Sequence, residues 1–148
     1  MKETGRMLEL PEAEAEGDRI EPAALRLLIT DDHKLMRDGL RGLLEKEPGF
    51  QIVGEAANGL EAVYLTYEAK PAVVLMDINI SVMDGIEATR QIMADLPEIK
   101  VIGLSLHAEQ QVVSEMLAAG ASSFVPKSSS PEELIDAIGT AVGSGKEN

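Results

Sequence analysis

Short runs of branched apolar residues alternate along the chain with segments in which apolar side chains recur every three or four positions. Leu25-Arg26-Leu27-Leu28-Ile29-Thr30, cut off by Asp31-Asp32, reads as a buried strand. Leu35, Met36, Leu40, Leu43 and Leu44 then fall on one face of a helix that stops at Pro48-Gly49, where proline cannot continue the ladder. The unit repeats. Gln51 to Ala57 predicts a second strand, Asn58-Gly59 a turn, and Leu60, Val63 and Tyr67 a helix to about Lys70. Ala72 to Met76 is a third strand ending at Asp77, followed by a loop with Asp84-Gly85 and a helix carrying Ile86, Met93 and Leu96, which Pro97 ends. Lys100 to Leu104 is a fourth strand, and Gln110 to Ala119 a helix with Val112, Val113, Met116 and Leu117. Gly120 closes that helix in the position that favours left-handed backbone. Ser123 to Val125 is a short fifth strand, and Ser130-Pro131-Glu132-Glu133 reads as a cap with proline at the first helical position. Leu134, Ile135, Ile138 and Val142 form the core face of the last helix.

Five strand-helix units in strict alternation predict a doubly wound α/β domain, a five-stranded parallel sheet with helices on both faces. Parallel neighbours need crossover connections, and these are right-handed. Pro126 removes a ladder donor, so the fifth strand belongs at an edge, which the strand order 2-1-3-4-5 satisfies. The domain is expected over residues 25–142, with 143–148 a C-terminal tail or the start of a linker. Residues 1–24 hold seven acidic side chains against Lys2, Arg6 and Arg19 without apolar periodicity, and read as a solvated, disordered tail.

The length of 148 residues allows one such domain, and 45% hydrophobic residues are enough for its core. The net charge of −13 opposes binding to phosphate backbones, so no nucleic acid binding is expected through this chain. The absence of cysteine excludes disulfides, thiolate metal sites and a cysteine nucleophile. Met1 to Leu10 has no signal-like apolar core, and no apolar run reaches membrane-spanning length, so a cytoplasmic protein without membrane contact is expected.

In open α/β sheets the functional crevice lies outside the carboxyl ends of the strands, where the strand order reverses. The residues expected there are Asp31 and Asp32 after the first strand, Asp77 after the third, Ser105 after the fourth and Lys127 after the fifth. Singly, each has an ordinary reading: a helix cap for Asp31 or Asp32, a turn residue for Asp77, a loop hydroxyl for Ser105, a surface cation for Lys127. Together they bring three carboxylates, a hydroxyl and an ammonium to one edge. Close carboxylates repel, and a divalent cation is the simplest compensation. Magnesium suits best, as a hard ion taking one or two carboxylates with waters and phosphate oxygens.

These residues resemble the receiver (response regulator) domain of bacterial two-component signalling. The resemblance covers about residues 25–142 and rests on Asp31-Asp32-His33, Val74-Leu75-Met76-Asp77, Met83-Asp84-Gly85, Gly103-Leu104-Ser105, and Gly120-Ala121 leading to Phe124 and Lys127. The spacings of 45 residues from Asp32 to Asp77, 28 from there to Ser105 and 22 more to Lys127 make it specific. Arg37-Asp38-Gly39-Leu40 and Val53-Gly54-Glu55-Ala56-Ala57-Asn58-Gly59 are most similar to receivers that precede a LuxR-type DNA-binding domain.

The resemblance implies a flavodoxin-like (βα)5 fold and a phosphorylation switch rather than an enzyme acting on an external substrate. Asp77 would take a phosphoryl group from a histidine kinase or histidine phosphotransfer protein. Asp32 would bind Mg2+ directly and Asp31 through water, with Asp77 and the backbone carbonyl of Asn79 as further ligands. Lys127 would pair with Asp77 and then with the phosphate, and Ser105 would donate to a phosphate oxygen. Ser105 and Phe124 would be the switch residues that reshape the face of the fourth helix, fifth strand and fifth helix. A homodimer on phosphorylation is a further possibility of the family.

The chain departs from the family pattern at several positions. Phe124 lacks the hydroxyl of the tyrosine often found there, Ser81 replaces a frequent proline, and Ser128 replaces the proline that often follows the lysine. Asn79 and His107 stand where the family sets phosphoryl lifetime. His33 and His107 have no second pair at ligand spacing and read as ordinary histidines. Lys34, Arg37 and Arg41 form a basic stripe at i, i+3 and i+7, a solvated face that in receivers also meets the phosphotransfer domain.

The LuxR-like wording favours the regulatory part of a transcriptional regulator whose DNA-binding domain is absent from this chain. A stand-alone receiver acting by protein contacts is the alternative. An aspartate-nucleophile phosphatase would need a second Asp two residues after Asp77, where Asn79 stands. A flavodoxin-like cofactor binder would need a phosphate loop where Asp31-Asp32 stand, and no GxxxxGK loop is present.

Overall fold

The computed structural model describes residues 24–147 apart from 81 and 108, so Ser81 and the acidic segment before Ala24 lie outside the described residues. Five strands and five helices alternate: β1 Leu25–Thr30, α1 Lys34–Glu45, β2 Phe50–Ala56, α2 Gly59–Ala69, β3 Val73–Asp77, α3 Gly85–Asp95, β4 Lys100–Ser105, α4 Gln110–Ala118, β5 Ser123–Pro126 and α5 Pro131–Glu147. All strand pairs are parallel, in the order β2-β1-β3-β4-β5. That is the expected 2-1-3-4-5 arrangement, with β5 and its Pro126 at an edge. Helix α5 runs five residues beyond Val142, where the domain was expected to end, because its backbone ladder outlasts the apolar face that the sequence pattern follows.

Each strand sends alternate side chains to opposite faces. Leu27, Ile29, Val73, Leu75, Ile102 and Leu104 pack with Leu44 of α1 and Leu134 and Ile138 of α5. Leu28, Val74, Met76 and Val101 pack with Ala62 and Val63 of α2, Ala88 and Ile92 of α3, and Met116 of α4. The helices divide two against three over the sheet, so its central strands are covered on both faces and read as continuous apolar runs.

Not every apolar residue that marks a helix faces the sheet. Leu35, Leu60 and Leu117 are exposed, and Tyr67 is at the surface as well. The positions that face the sheet include small residues instead, Gly59, Ala62 and Thr66 on α2 and Gly85, Ala88 and Thr89 on α3. A small residue brings the helix axis close to the strands, and leucine spacing does not report it.

Local sequence explains the element ends. The Asn58 and Asp84 side chains accept from Glu61 N–H and Glu87 N–H, capping α2 and α3. Ser130 and Glu133 exchange side-chain to backbone bonds of 3.2 and 3.0 Å, a capping box at the start of α5. Gly120 adopts a φ of 117°, which a side chain would resist, and lets the chain turn from α4 into β5.

The β1–β2 ladder is irregular. Leu27 is opposite Ile52, but Leu28 is opposite Gly54, so one extra residue of β2 sits in a bulge. Ile52 packs on the α1 side of the sheet, and strict alternation from it would send Glu55 to the far side. The bulge reverses the phase and gives Glu55 to α1.

Candidate acidic site at the carboxyl edge of the sheet

The topology places β1 and β3 side by side at the point where strand order reverses, and their last residues carry the acids. Asp77 is itself the last residue of β3, and Ser105 the last of β4, so each strand runs one residue further than the sequence pattern predicts. Both are held by the ladder and not by a loop.

Asp31 follows β1 directly, its N–H donating to Ala56 O at 3.0 Å and its carbonyl accepting from Arg37 Nη1 at 2.7 Å. Its carboxylate is fully buried. Oδ1 accepts the His33 N–H at 2.9 Å, and Oδ2 accepts from Lys127 Nζ at 2.5 Å. Neither Asp31 nor Asp32 caps α1, because His33 stands at that position and makes no side-chain cap bond. The capping reading of these acids is therefore set aside. The Asp32 side chain is 30% exposed, with His33 Nδ1 3.0 Å from its Oδ1.

Asp77 is 4% exposed, and Lys127 Nζ lies 3.2 Å from its Oδ2. Its Oδ1 accepts the Asn79 N–H at 3.1 Å. Burial pushes the Asp77 carboxyl above the ordinary carboxylate range; Lys127 pulls it down, and the neighbouring charge of Asp31 pushes it up again. Burial works to lower the Lys127 ammonium, but its hydrogen bond to Asp31 and the charges of both acids outweigh it, and the ammonium is held above its ordinary value.

Ser105 Oγ donates to His107 O at 2.6 Å and accepts from Asn79 Nδ2 at 3.1 Å, while its carbonyl accepts the Lys127 N–H at 2.9 Å. The last bond ties the lysine loop to the end of β4. Among the described residues no peptide bond is cis, so the Lys127-Ser128 link is trans. Phe124 is half-buried against the α2, α3 and α4 core, close to Gly103 and Met116.

Two glycines hold the loop after β3 from either side. A Cβ on Gly85 would lie 2.4 Å from Asp77 O, and one on Gly59 1.9 Å from Met83 O. Val82, in the same loop, has a φ of 71°, unusual for a β-branched residue.

The five expected residues are thus brought together, around one lysine that bridges two acids. The arrangement carries three carboxylates against that single ammonium, and its donors are hard oxygens. It fits a small divalent cation. Asp31, Asp32 and His33 place one potential ligand atom each within 4.8 Å of one another, so His33, read as an ordinary histidine, stands in the acidic cluster.

The basic stripe of α1, expected to be a solvated face, is paired with carboxylates at each of its three positions. Arg37 Nε and Arg41 Nε lie 3.1 and 2.6 Å from the two carboxylate oxygens of Glu55, Arg41 also pairs with Glu45, and Lys34 pairs with Asp38. Sequence reading missed Glu55 because the bulge that aims it is invisible to alternation. Its carboxyl is lowered chiefly by the Arg41 hydrogen bond, against burial and with help from Arg37.

Residues 27–139 match the family described as the response regulator receiver domain. The chain belongs to that family. This receiver domain is 42% identical over 117 residues to the transcriptional regulatory protein LiaR of Bacillus subtilis, covering 79% of the chain and 56% of LiaR. It spans about half the length of the curated relatives it matches. Among solved structures, a LuxR-family two-component response regulator from Aurantimonas matches with a TM-score of 0.79 and 36% identity, over 82% of this chain and 87% of that one. CheY in the CheX-CheY-BeF3-Mg2+ complex of Borrelia burgdorferi matches with a TM-score of 0.75 and 28% identity, over 80% and 89%. The receiver domain is thus similar to those of LuxR-type transcriptional regulators, which are signalling proteins and not enzymes in the usual sense. Among the described residues no helix is long and apolar enough to cross a membrane.

Proposed function

We propose that this receiver is a phosphorylation switch in which Asp77 accepts a phosphoryl group from a phosphohistidine on a histidine kinase or phosphotransfer protein. An Asp77 oxygen attacks phosphorus, the P–N bond breaks, and the released imidazole takes up a proton, leaving an aspartyl phosphate. The observation that carries the reading is Lys127 Nζ lying between Asp31 and Asp77, a cation poised to pass from a carboxylate to an incoming phosphate oxygen.

Asp31, Asp32, Asp77 and the Asn79 carbonyl would hold Mg2+, which when bound neutralises charge on the transferring phosphoryl group. The CheY relative was solved with BeF3 and Mg2+. Ser105 Oγ would leave His107 O to donate to the phosphate, and Phe124, packed beside Met116, would follow by a change of packing with no hydroxyl to anchor it. The change would be read on the α4, β5 and α5 face, either by an output domain of a cytoplasmic transcriptional regulator or by homodimerisation.

A protein donor fits the surroundings better than a small ester. Leu35, Leu60, Val82 and Leu106 are all exposed, in the first turns of α1 and α2 and in the loops after β3 and β4, so the acidic pocket has apolar residues on its own edge of the sheet. The phosphatase reading finds no support, because Asn79 offers an amide, already donating to Ser105, where a general acid-base carboxyl is required.

Incubation with MgCl2 and a small phosphodonor such as phosphoramidate tests this. A mass gain of one phosphate that is absent in Asp77→Ala and without MgCl2 is expected. Multiple turnover of phosphate esters, or labelling that survives Asp77→Ala, would overturn it.

A further inference from the structure

His33 brings a nitrogen to a cluster whose other donors are all oxygens. Its side chain is 78% exposed, and it stands at the N-cap position of α1 without making a side-chain cap bond. Neither packing nor capping turns its ring toward the acids. Even so, Nδ1 lies 3.0 Å from Asp32 Oδ1 and 3.4 Å from Asp31 Oδ1. These are the separations of atoms that share one metal ion. Ligands about 2.1 Å from a common ion stand about 3.0 Å apart at right angles and about 3.4 Å apart at the tetrahedral angle. One potential ligand atom from each of the three residues lies within 4.8 Å of the other two, so a single ion can reach them all. Lys127 Nζ occupies Asp31 Oδ2, and Oδ1, although it accepts the His33 N–H, keeps a second lone pair.

Donor identity decides which ion such a site prefers. Magnesium favours oxygen ligands and keeps several waters, whereas imidazole suits zinc and other late first-row ions. The chain has no cysteine and two histidines, so an imidazole is the softest charged-site donor it can offer, and only one of the two stands among carboxylates. We propose that Asp31, Asp32 and His33 Nδ1 bind Zn2+, in competition with the Mg2+ of the phosphoacceptor site. Nδ1 binds as a neutral imidazole nitrogen, so a proton it carries is released to solvent on metal binding. The inference rests on the reading of Asp31 and Asp32 as metal ligands and adds His33 to them.

Calorimetric titration of the full chain with ZnCl2 and with MgCl2 tests this, in a His107→Gln background that leaves one imidazole. Zn2+ is expected to bind at one equivalent and more tightly than Mg2+, and excess MgCl2 to displace it. His33→Gln is expected to weaken Zn2+ by about ten-fold or more and Mg2+ by less than about two-fold. Long-range 1H–15N spectra of the imidazole give a readout that general loss of structure would not imitate: Zn2+ should shift the Nδ1 resonance far more than Nε2. Zn2+ affinity unchanged in His33→Gln, or a Zn2+ shift confined to Nε2, would overturn the proposal. Asp32→Asn separates this from the reading beneath it, because it is expected to weaken both ions. Mg2+ binding indifferent to Asp32→Asn would overturn that reading and the competition with it, whereas Mg2+ binding that needs Asp32 beside Zn2+ binding that ignores His33 would overturn the role of His33 alone.

Discussion

Lys127 Nζ lies 2.5 Å from Asp31 Oδ2, joining residues 96 positions apart in the chain, and it is this contact, more than the 3.2 Å approach to Asp77, that fixes the ammonium. Two buried carboxylates therefore share one cation, and the two ways of removing a charge have opposite consequences. Lys127→Met leaves both acids uncompensated and is expected to destabilise the metal-free protein by about 3–5 kcal/mol. Asp77→Asn leaves a balanced Asp31–Lys127 pair and is expected to stabilise it, by about 1 kcal/mol. Because the folded Asp77 carboxyl is raised, the folded state holds that proton more tightly than the unfolded chain does. Ionisation thus costs stability as pH rises from the ordinary carboxylate value through the raised one. Urea unfolding in EDTA should show the advantage of Asp77→Asn growing across that window and constant above it. An advantage independent of pH would contradict this account.

The loop that follows Asp77 is clamped by backbone proximity at Gly85 and Gly59. Gly85→Ala would force a Cβ to within 2.4 Å of Asp77 O, so the loop or α3 must move. A loss of about 2–4 kcal/mol is expected, together with slower labelling at Asp77, since the displaced carbonyl belongs to that residue. Gly42→Ala on α1 meets nothing within 4 Å and should instead gain about 0.5–1 kcal/mol through helix propensity. Thermal melts of the two variants should move in opposite directions.

The strand order, the edge position of Pro126 and the helix cap at Ser130 were legible in the sequence because each follows from local chemistry or from a rule of connection. The helix faces were less so. Leu35, Leu60 and Leu117 continue an apolar period yet point to solvent, since α1, α2 and α4 approach the sheet on residues other than these, and hydropathy favours a leucine over an alanine whichever way it faces. Glu55 was hidden for a different reason. One bulged residue in β2 inverts the side-chain phase, and nothing in the string Ile52-Val53-Gly54-Glu55 marks where the ladder slips. At the acidic site the residue set followed from strand ends, but the preference of Lys127 for Asp31 depends on loop geometry that no spacing encodes.

Thr66 Oγ1 is fully buried on α2 and has no hydrogen-bond partner among the described residues. No protein group replaces the hydrogen bonds this hydroxyl makes to water in the unfolded chain. Thr66→Val keeps the shape and removes the unsatisfied group, so a gain of about 1 kcal/mol in unfolding free energy is expected. A loss on this substitution would mean that the hydroxyl has a partner in solution, such as a buried water.

Glu55 ties α1 to the edge strand β2 through Arg37 and Arg41, and both arginines are drawn to it and away from any docking partner. Its carboxyl is lowered mainly by the Arg41 hydrogen bond, so the folded state favours the ionised form more than the unfolded chain does. The stabilisation is then fully present above the ordinary carboxylate value and is lost as pH falls through the depressed folded value. Glu55→Gln keeps the volume but weakens both charge-assisted bonds, and a loss of about 1–2 kcal/mol at pH 7 is expected, shrinking toward zero as acid protonates the wild-type carboxyl. The same variant releases two arginines at the surface of α1. If the kinase or phosphotransfer protein meets this helix through an acidic surface, Glu55→Gln should accelerate phosphoryl transfer from it at low salt while leaving labelling by phosphoramidate unchanged. Parallel rates from the protein and the small donor would show that Glu55 acts on the fold alone.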